Sequence, residues 1–173
     1  MYTKLVGAFL IIFAAYLMGC RICAVFQRRV RYLEEIIYGL EMFRTEVNYG
    51  LTPLPQAFQN IGKKLINPVG NLFDDFSSSL LQRKGQSALE CWKTALKKRI
   101  PELELKNEQL ELLERLGSAW GQGDKEGQAR QISLIQELLR QALDKARSER
   151  QKNDKLWKYL GLMGGITVVL LLL

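Results

Sequence analysis

Histidine is absent from the chain. That removes the commonest general base and the commonest metal ligand, so no histidine-centred site is available. Cysteine is scarce, at three residues. Cys20 and Cys23 form a C-x-x-C, but redox chemistry at that spacing goes with a βαβ pattern, and none is present. Cys91 has no partner in sequence and reads as a core thiol. Proline occurs four times, and Pro53, Pro68 and Pro101 each fall at a predicted helix boundary. No segment alternates with the period of a strand, and no internal repeat is visible. The chain therefore reads as all-α: a helical bundle flanked by an N-terminal and a C-terminal transmembrane helix.

Charge is unevenly spread. The net charge is +7, yet removing Lys4, Arg21 and Lys158 leaves 22 basic against 18 acidic residues between Gln27 and Lys155. Arg28, Arg29, Arg31, Lys152 and Lys155 supply that excess beside two apolar ends. Such basicity is juxtamembrane in character rather than a nucleic-acid patch. Tyr159–Leu173 carries no charge, and its nine Leu, Ile and Val residues favour insertion, by about 4 kcal/mol in sum. Lys158 and Trp157 precede it as an interfacial pair. At the other end, Leu5–Cys20 is free of charge, and with Arg21 snorkelling Leu5–Phe26 is long enough to span. Transmembrane helices are thus predicted within 1–26 and 156–173, with a bundle at 27–155. Both charge asymmetries put the bundle in the cytoplasm and both termini outside, as an integral membrane protein. Ala15 with Gly19, and Gly161 with Gly165, place small residues four apart for close packing between the spans. An alternative for the first segment is a lipoprotein box at Leu17-Met18-Gly19-Cys20, with Cys20 lipidated and the bundle facing outward. The positive flank after the apolar run opposes it.

Between the ends the period is helical. Val30, Leu33, Ile36, Ile37, Leu40, Phe43 and Val47 form one stripe, unbroken from the first span to Asn48. Tyr49 and Gly50 close that helix, with Thr52 as N-cap and Pro53 as the first position of the next. Its inward residues are Leu54, Phe58, Ile61 and Leu65. Asn67-Pro68 repeats the device before a helix burying Val69, Leu72, Phe73, Phe76 and Leu80. After a turn around Gly85, a fourth helix turns Leu89, Trp92 and Leu96 inward and Lys93, Lys97, Lys98 and Arg99 outward, and Pro101 is predicted to break it. A fifth helix would start with Glu102 and Glu104 in its first turn and bury Leu105, Leu112, Leu113, Leu116 and Trp120. Asp124 would cap a last helix with Ile132, Ile135, Leu139, Ala142 and Ala146 at coiled-coil spacing.

Little here points to chemistry. Gly121, Gly123 and Gly127 are spaced as a turn rather than a phosphate loop. Glu102, Glu104, Glu108, Glu111 and Glu114 alternate with leucines and read as a solvated face. No catalytic, cofactor-binding or metal-binding residue is predicted. Lys93, Lys97, Lys98 and Arg99 are the candidate partner-binding cluster, suited to an acidic protein surface; no aromatics interleave them for nucleic acid.

Three stretches resemble a known family. Glu46-Val47-Asn48-Tyr49-Gly50-Leu51-Thr52-Pro53-Leu54 is similar to the E-x-x-Y-G-x-T-P-L segment of the stage III sporulation protein AB family of endospore-forming bacteria. Cys91–Lys98 resembles its W-x-x-x-L-K-K stretch, and Leu116-Gly117 with Gly121 also matches. The resemblance implies a small bundle like the cytoplasmic domain of type II secretion F platform proteins. It further implies a non-enzymatic part of the channel complex between mother cell and forespore, facing the mother-cell cytoplasm. The partners it implies are a secretion-type ATPase, other membrane subunits of that channel and the membrane, with no cofactor, nucleic acid or small-molecule substrate.

Overall fold

The computed structural model describes the backbone of residues 2–49, 52–82, 85–120 and 125–172. Side chains are described at 7, 13, 17, 19–46, 52–82, 85–120, 127–157, 163 and 164. Among the described residues six helices follow in order: α1 Tyr2–Tyr49, α2 Leu54–Gly62, α3 Val69–Gln82, α4 Ala88–Leu103, α5 Asn107–Ala119 and α6 Lys125–Leu172. No strand occurs among the described residues. The chain divides into two compact units, Met1–Val30 with Lys145–Leu173, and Arg31–Asp144. Both 48-residue helices, α1 and α6, contribute to both units.

The larger unit, 31–144, is built on a ring-rich core. Phe43 from α1 stacks on Phe58 from α2 at 4.7 Å. Phe76 from α3 meets Phe58 at 4.8 Å and Trp92 from α4 at 5.1 Å. Trp120, just after α5, lies 5.0 Å from Phe58 and 5.9 Å from Trp92. Stacked and edge-on pairs of this kind add about 0.5–1.5 kcal/mol each beyond the area they bury. The aliphatic stripes close around them: Leu33, Ile36, Ile37 and Leu40 from α1, and Ile132, Ile135 and Leu139 from α6, are all buried. So are Val69, Leu72, Phe73, Phe76 and Leu80, the whole predicted inner face of α3.

Polar groups lock the elements together. The backbone N–H of Ile66 donates to Glu35 at 3.1 Å, tying α1 to the connection between α2 and α3. The Ser77 hydroxyl donates to the Pro55 carbonyl at 2.7 Å. α2 and α3 meet backbone to backbone, because a Cβ on Gly70 would lie 2.6 Å from the Gly62 carbonyl oxygen. Asn67-Pro68, between them, is cis.

Several expectations are corrected. Among the described residues no helix is long and apolar enough to cross a membrane. The transmembrane helices expected at 1–26 and 156–173 are overturned by that finding, and the integral-membrane placement with a cytoplasmic bundle falls with them. The physical reason is length. The charge-free runs are sixteen residues, Leu5–Cys20, and fifteen, Tyr159–Leu173, short of the ~20 a span needs. Each reached spanning length only by drawing in Arg21 or Lys158. Most side chains of both runs lie outside the described residues.

Pro101 does not end α4, which continues to Leu103. Proline at this position forfeits the hydrogen bond its missing N–H would make and sets its ring against the carbonyl four residues back, costs the helix carries for its last two residues. Leu103 is fully buried and holds the last turn in place. Glu104 follows as the C-cap with φ 50°, and α5 starts only at Asn107. Glu102 and Glu104 therefore belong to the end of α4, not to the first turn of α5. Thr52 is not the N-cap of α2 either. Pro53 holds that position, its carbonyl accepting from the Ala57 N–H at 3.0 Å, and no side chain caps the helix.

Candidate partner-docking surface

The α4 face is set by its start and by its buried side. Ser87 and Glu90 form a capping box: the Ser87 hydroxyl accepts from the Glu90 N–H at 3.2 Å, and the Glu90 carboxylate accepts from the Ser87 N–H at 2.8 Å. Cys91, Trp92, Ala95 and Leu96 then face inward. The Trp92 indole N–H donates to the Leu113 carbonyl at 2.6 Å, which fixes the rotation of α4 against α5. With that side buried, Lys93, Lys97 and Lys98 are exposed and Arg99 half-buried.

The four cations separate into two pairs. Lys98 Nζ reaches Asp75 Oδ1 at 2.8 Å, and Arg99 Nε reaches Asp75 Oδ2 at 2.6 Å. Arg99 also pairs with Glu102 at 3.0 Å. Both oxygens of Asp75, on α3, are thus used by α4. Burial works to raise the Asp75 carboxyl, but the hydrogen bonds and charges of Arg99 and Lys98 prevail and hold it below its ordinary value. Asp74 beside it behaves oppositely. Its Oδ1 is buried without a hydrogen-bond partner and packs on Gly62, and desolvation with the neighbouring Asp75 charge outweighs Lys63 and raises its pKa. Lys93 and Lys97, four residues apart on one face, make no ion pair among the described residues.

Other singled-out residues are placed as follows. Gly19 packs against Trp157, whose Cε3 would lie 3.0 Å from an added Cβ. Ala15 lies on α1 and Gly161 and Gly165 on α6, but what surrounds them lies outside the description, as do the Tyr49 side chain, Gly50 and the turn expected at Gly121–Asp124. The Thr52 hydroxyl donates to Glu46 at 3.3 Å, and Pro53 is exposed. Cys20 is exposed, Cys23 half-buried and Cys91 buried, all as thiols. Glu102, Glu108, Glu111 and Glu114 are exposed, spread over the end of α4 and along α5. No group of acidic or cysteine side chains able to hold a metal is found among the described residues.

Asp75 was missed from sequence. Its partners are 23 and 24 residues away, so no local spacing signals them. Its place at the edge of the Leu72–Phe76 stripe was the one available hint.

Fold and surface define an all-helical bundle whose conspicuous polar groups are ion-pairing and packing groups. Residues 4–173 match the model of the family described as Stage III sporulation protein AB. The chain is 34% identical over 170 residues to Stage III sporulation protein AB of Bacillus subtilis (strain 168), covering 98% of this chain and 99% of that protein. A solved structure of a Stage III sporulation protein AB superposes with a TM-score of 0.69 at 32% identity, over 72% of this chain and 98% of that one. The chain belongs to the stage III sporulation protein AB family.

Proposed function

We propose that the chain is a non-enzymatic docking platform in a sporulation complex of the secretion type between mother cell and forespore. In this reading the α4 face receives an acidic surface of the complex's assembly ATPase, and other subunits of the channel pack around the bundle. The observation that carries it is the division of the four cations. Lys98 and Arg99 are committed to Asp75, whereas Lys93 and Lys97 stand exposed on a helix whose opposite side is anchored by Trp92. A rigid helix presenting two lysines at i and i+4 costs little ordering entropy when a carboxylate-bearing partner docks. The α5 start makes the same platform firmer: the Gln109 side chain accepts from the Lys106 N–H at 2.9 Å and is itself buried. No cofactor, metal or small molecule enters this reading. A photo-crosslinking amino acid at Lys93 or Lys97 in sporulating cells should capture the ATPase, and one at Glu111 on α5 should not. Capture of the ATPase from Glu111 but from neither lysine would overturn the assignment.

A further inference from the structure

In the smaller unit α1 and α6 run antiparallel: Gly19 packs on Trp157, and ten residues on, Arg29 reaches Glu149 at 3.8 Å. On another side of α1, Phe13 and Leu17 are 51% and 48% exposed, Cys20 is exposed and Ala24 is half-buried. At 3.6 residues per turn these four fall within about 60° of one another, and about 100–160° away from Gly19. Their spacing is four, three and four residues. That is the repeat of a coiled-coil seam, with Leu17 and Ala24 at a positions and Phe13 and Cys20 at d. In sequence the same spacing runs back to Leu10 and Val6. In a run as apolar as Leu5–Cys20 almost any spacing would find apolar residues, so periodicity alone decides nothing. Exposure decides, because Phe13, Leu17 and Cys20 stay exposed while Gly19 is buried against α6.

An exposed apolar row on a helix marks a surface with a partner. A seam with this spacing fits another helix, whose side chains enter its holes as knobs. No charge lies within the row, so an ionic partner gains nothing there. A second copy's α1 carries the same row at the same spacing, and an isologous contact needs only one self-complementary face. We propose that this face of α1 pairs with α1 of a second copy of the chain, side by side and parallel. The direction follows from charge. Arg21 and Arg28 fall at e positions beside the seam, and both are exposed. Parallel helices set each e position against a g position of the other copy, here Tyr16 and Cys23, which carry no cation. Antiparallel helices would set e against e and gather both Arg21 guanidiniums on one flank, where like charges oppose docking. The layers of the parallel pair are Phe13 on Phe13, Leu17 on Leu17, Cys20 on Cys20 and Ala24 on Ala24. The inference is independent of the α4 docking face, since it uses none of the same residues.

The test is disulfide crosslinking of the full chain carrying Cys23→Ser and Cys91→Ala, which leaves Cys20 as its single thiol. Oxidation by air with copper–phenanthroline should join most of it into a covalent dimer on a non-reducing gel, because a d layer holds the two Cα atoms within the ~7 Å that a disulfide allows. With Cys20→Ser and Cys23 restored, the rate should be at least about tenfold lower, since the g positions of a parallel pair lie on opposite flanks. Leu17→Glu should slow crosslinking from Cys20 by about tenfold or more, because it sets two like charges into one layer. Phe13→Cys in a chain free of native cysteines should crosslink as readily as Cys20. Should Leu17→Glu lose helical circular dichroism, Leu17→Ala is read instead, with a fall of at least about threefold. No dimer from Cys20, a rate from Cys23 equal to that from Cys20, or an undiminished rate in the folded Leu17 variant would overturn the proposal. So would a Cys20 adduct with a different protein in place of the dimer when sporulating cells are oxidised. A dimer from Cys20 but none from Phe13→Cys would overturn the parallel pairing.

Discussion

Gly117 on α5 tests how tightly the core of the larger unit is fixed. A Cβ added there would lie 2.5 Å from Trp92 Cδ1 and 3.0 Å from Leu89 Cδ1. Ordinary contact needs the indole to retreat by about 1 Å. It has nowhere to go: its N–H is held by the Leu113 carbonyl at 2.6 Å, and Phe76 and Trp120 flank its ring at 5.1 and 5.9 Å. Forcing an extra methyl into such a core costs about 1–3 kcal/mol, and two overlapped side chains put this case at the upper end. Alanine returns up to about 1 kcal/mol of helix propensity. Gly117→Ala should therefore destabilise by about 1–2 kcal/mol net, a melting shift of roughly 2–8 °C for a chain this size. The assay is urea unfolding followed by tryptophan fluorescence in a Trp157→Phe background, where Trp92 and Trp120 report the larger unit. In a Trp92→Phe background the smaller ring leaves room, and Gly117→Ala should cost at least ~1 kcal/mol less. A neutral or stabilising Gly117→Ala, with the same effect in both backgrounds, would refute a pinned Trp92.

Three further outcomes follow from the polar contacts. Asp75 has a folded pKa below its ordinary 3.8, so its contribution is fully present above that value and is lost as pH falls through the lower folded value. Asp75→Asn should cost about 1–2 kcal/mol at neutral pH, discounted for the exposure of Lys98, and should flatten the acid limb of a stability–pH curve; an unchanged limb would count against it. Asp74 has a folded pKa above 3.8, so its charge opposes folding above that raised value and the penalty fades as pH falls through it. Asp74→Asn should stabilise the chain at neutral pH and gain nothing below the ordinary carboxylate range; destabilisation at pH 7 would show that the carboxylate has a partner. Thr52→Ala should cost less than the ~1 kcal/mol typical of a lost N-cap, because Thr52 caps nothing; a full-sized loss in urea unfolding would restore the cap.

The stripes were the legible part of this chain. Val30 to Phe43, Val69 to Leu80 and Ile132 to Ala146 are each read by a helical period, because burial on one side is a local property of the sequence. Boundaries failed where tertiary burial overrode a local rule, as at Pro101, where Leu103 draws the helix onward, and at Thr52, one residue too early. The spans failed because two apolar runs of fifteen and sixteen residues sit at the lower edge of what crosses a bilayer. The basic cluster was legible as a cluster but not in its division, since only the fold reveals that Asp75 takes Lys98 and Arg99. The family resemblance was legible in short stretches such as Thr52-Pro53 and Cys91–Lys98, and the match over 4–173 bears it out.

The most direct test of the docking account is charge reversal at the exposed pair. Lys93→Glu with Lys97→Glu should leave the chain folded, because exposed charges contribute little to stability. Co-purification of the secretion-type ATPase from sporulating cells should fall at least tenfold, with the residual binding no longer salt-sensitive. Undiminished co-purification by this folded double variant would contradict the account and return both lysines to solvent.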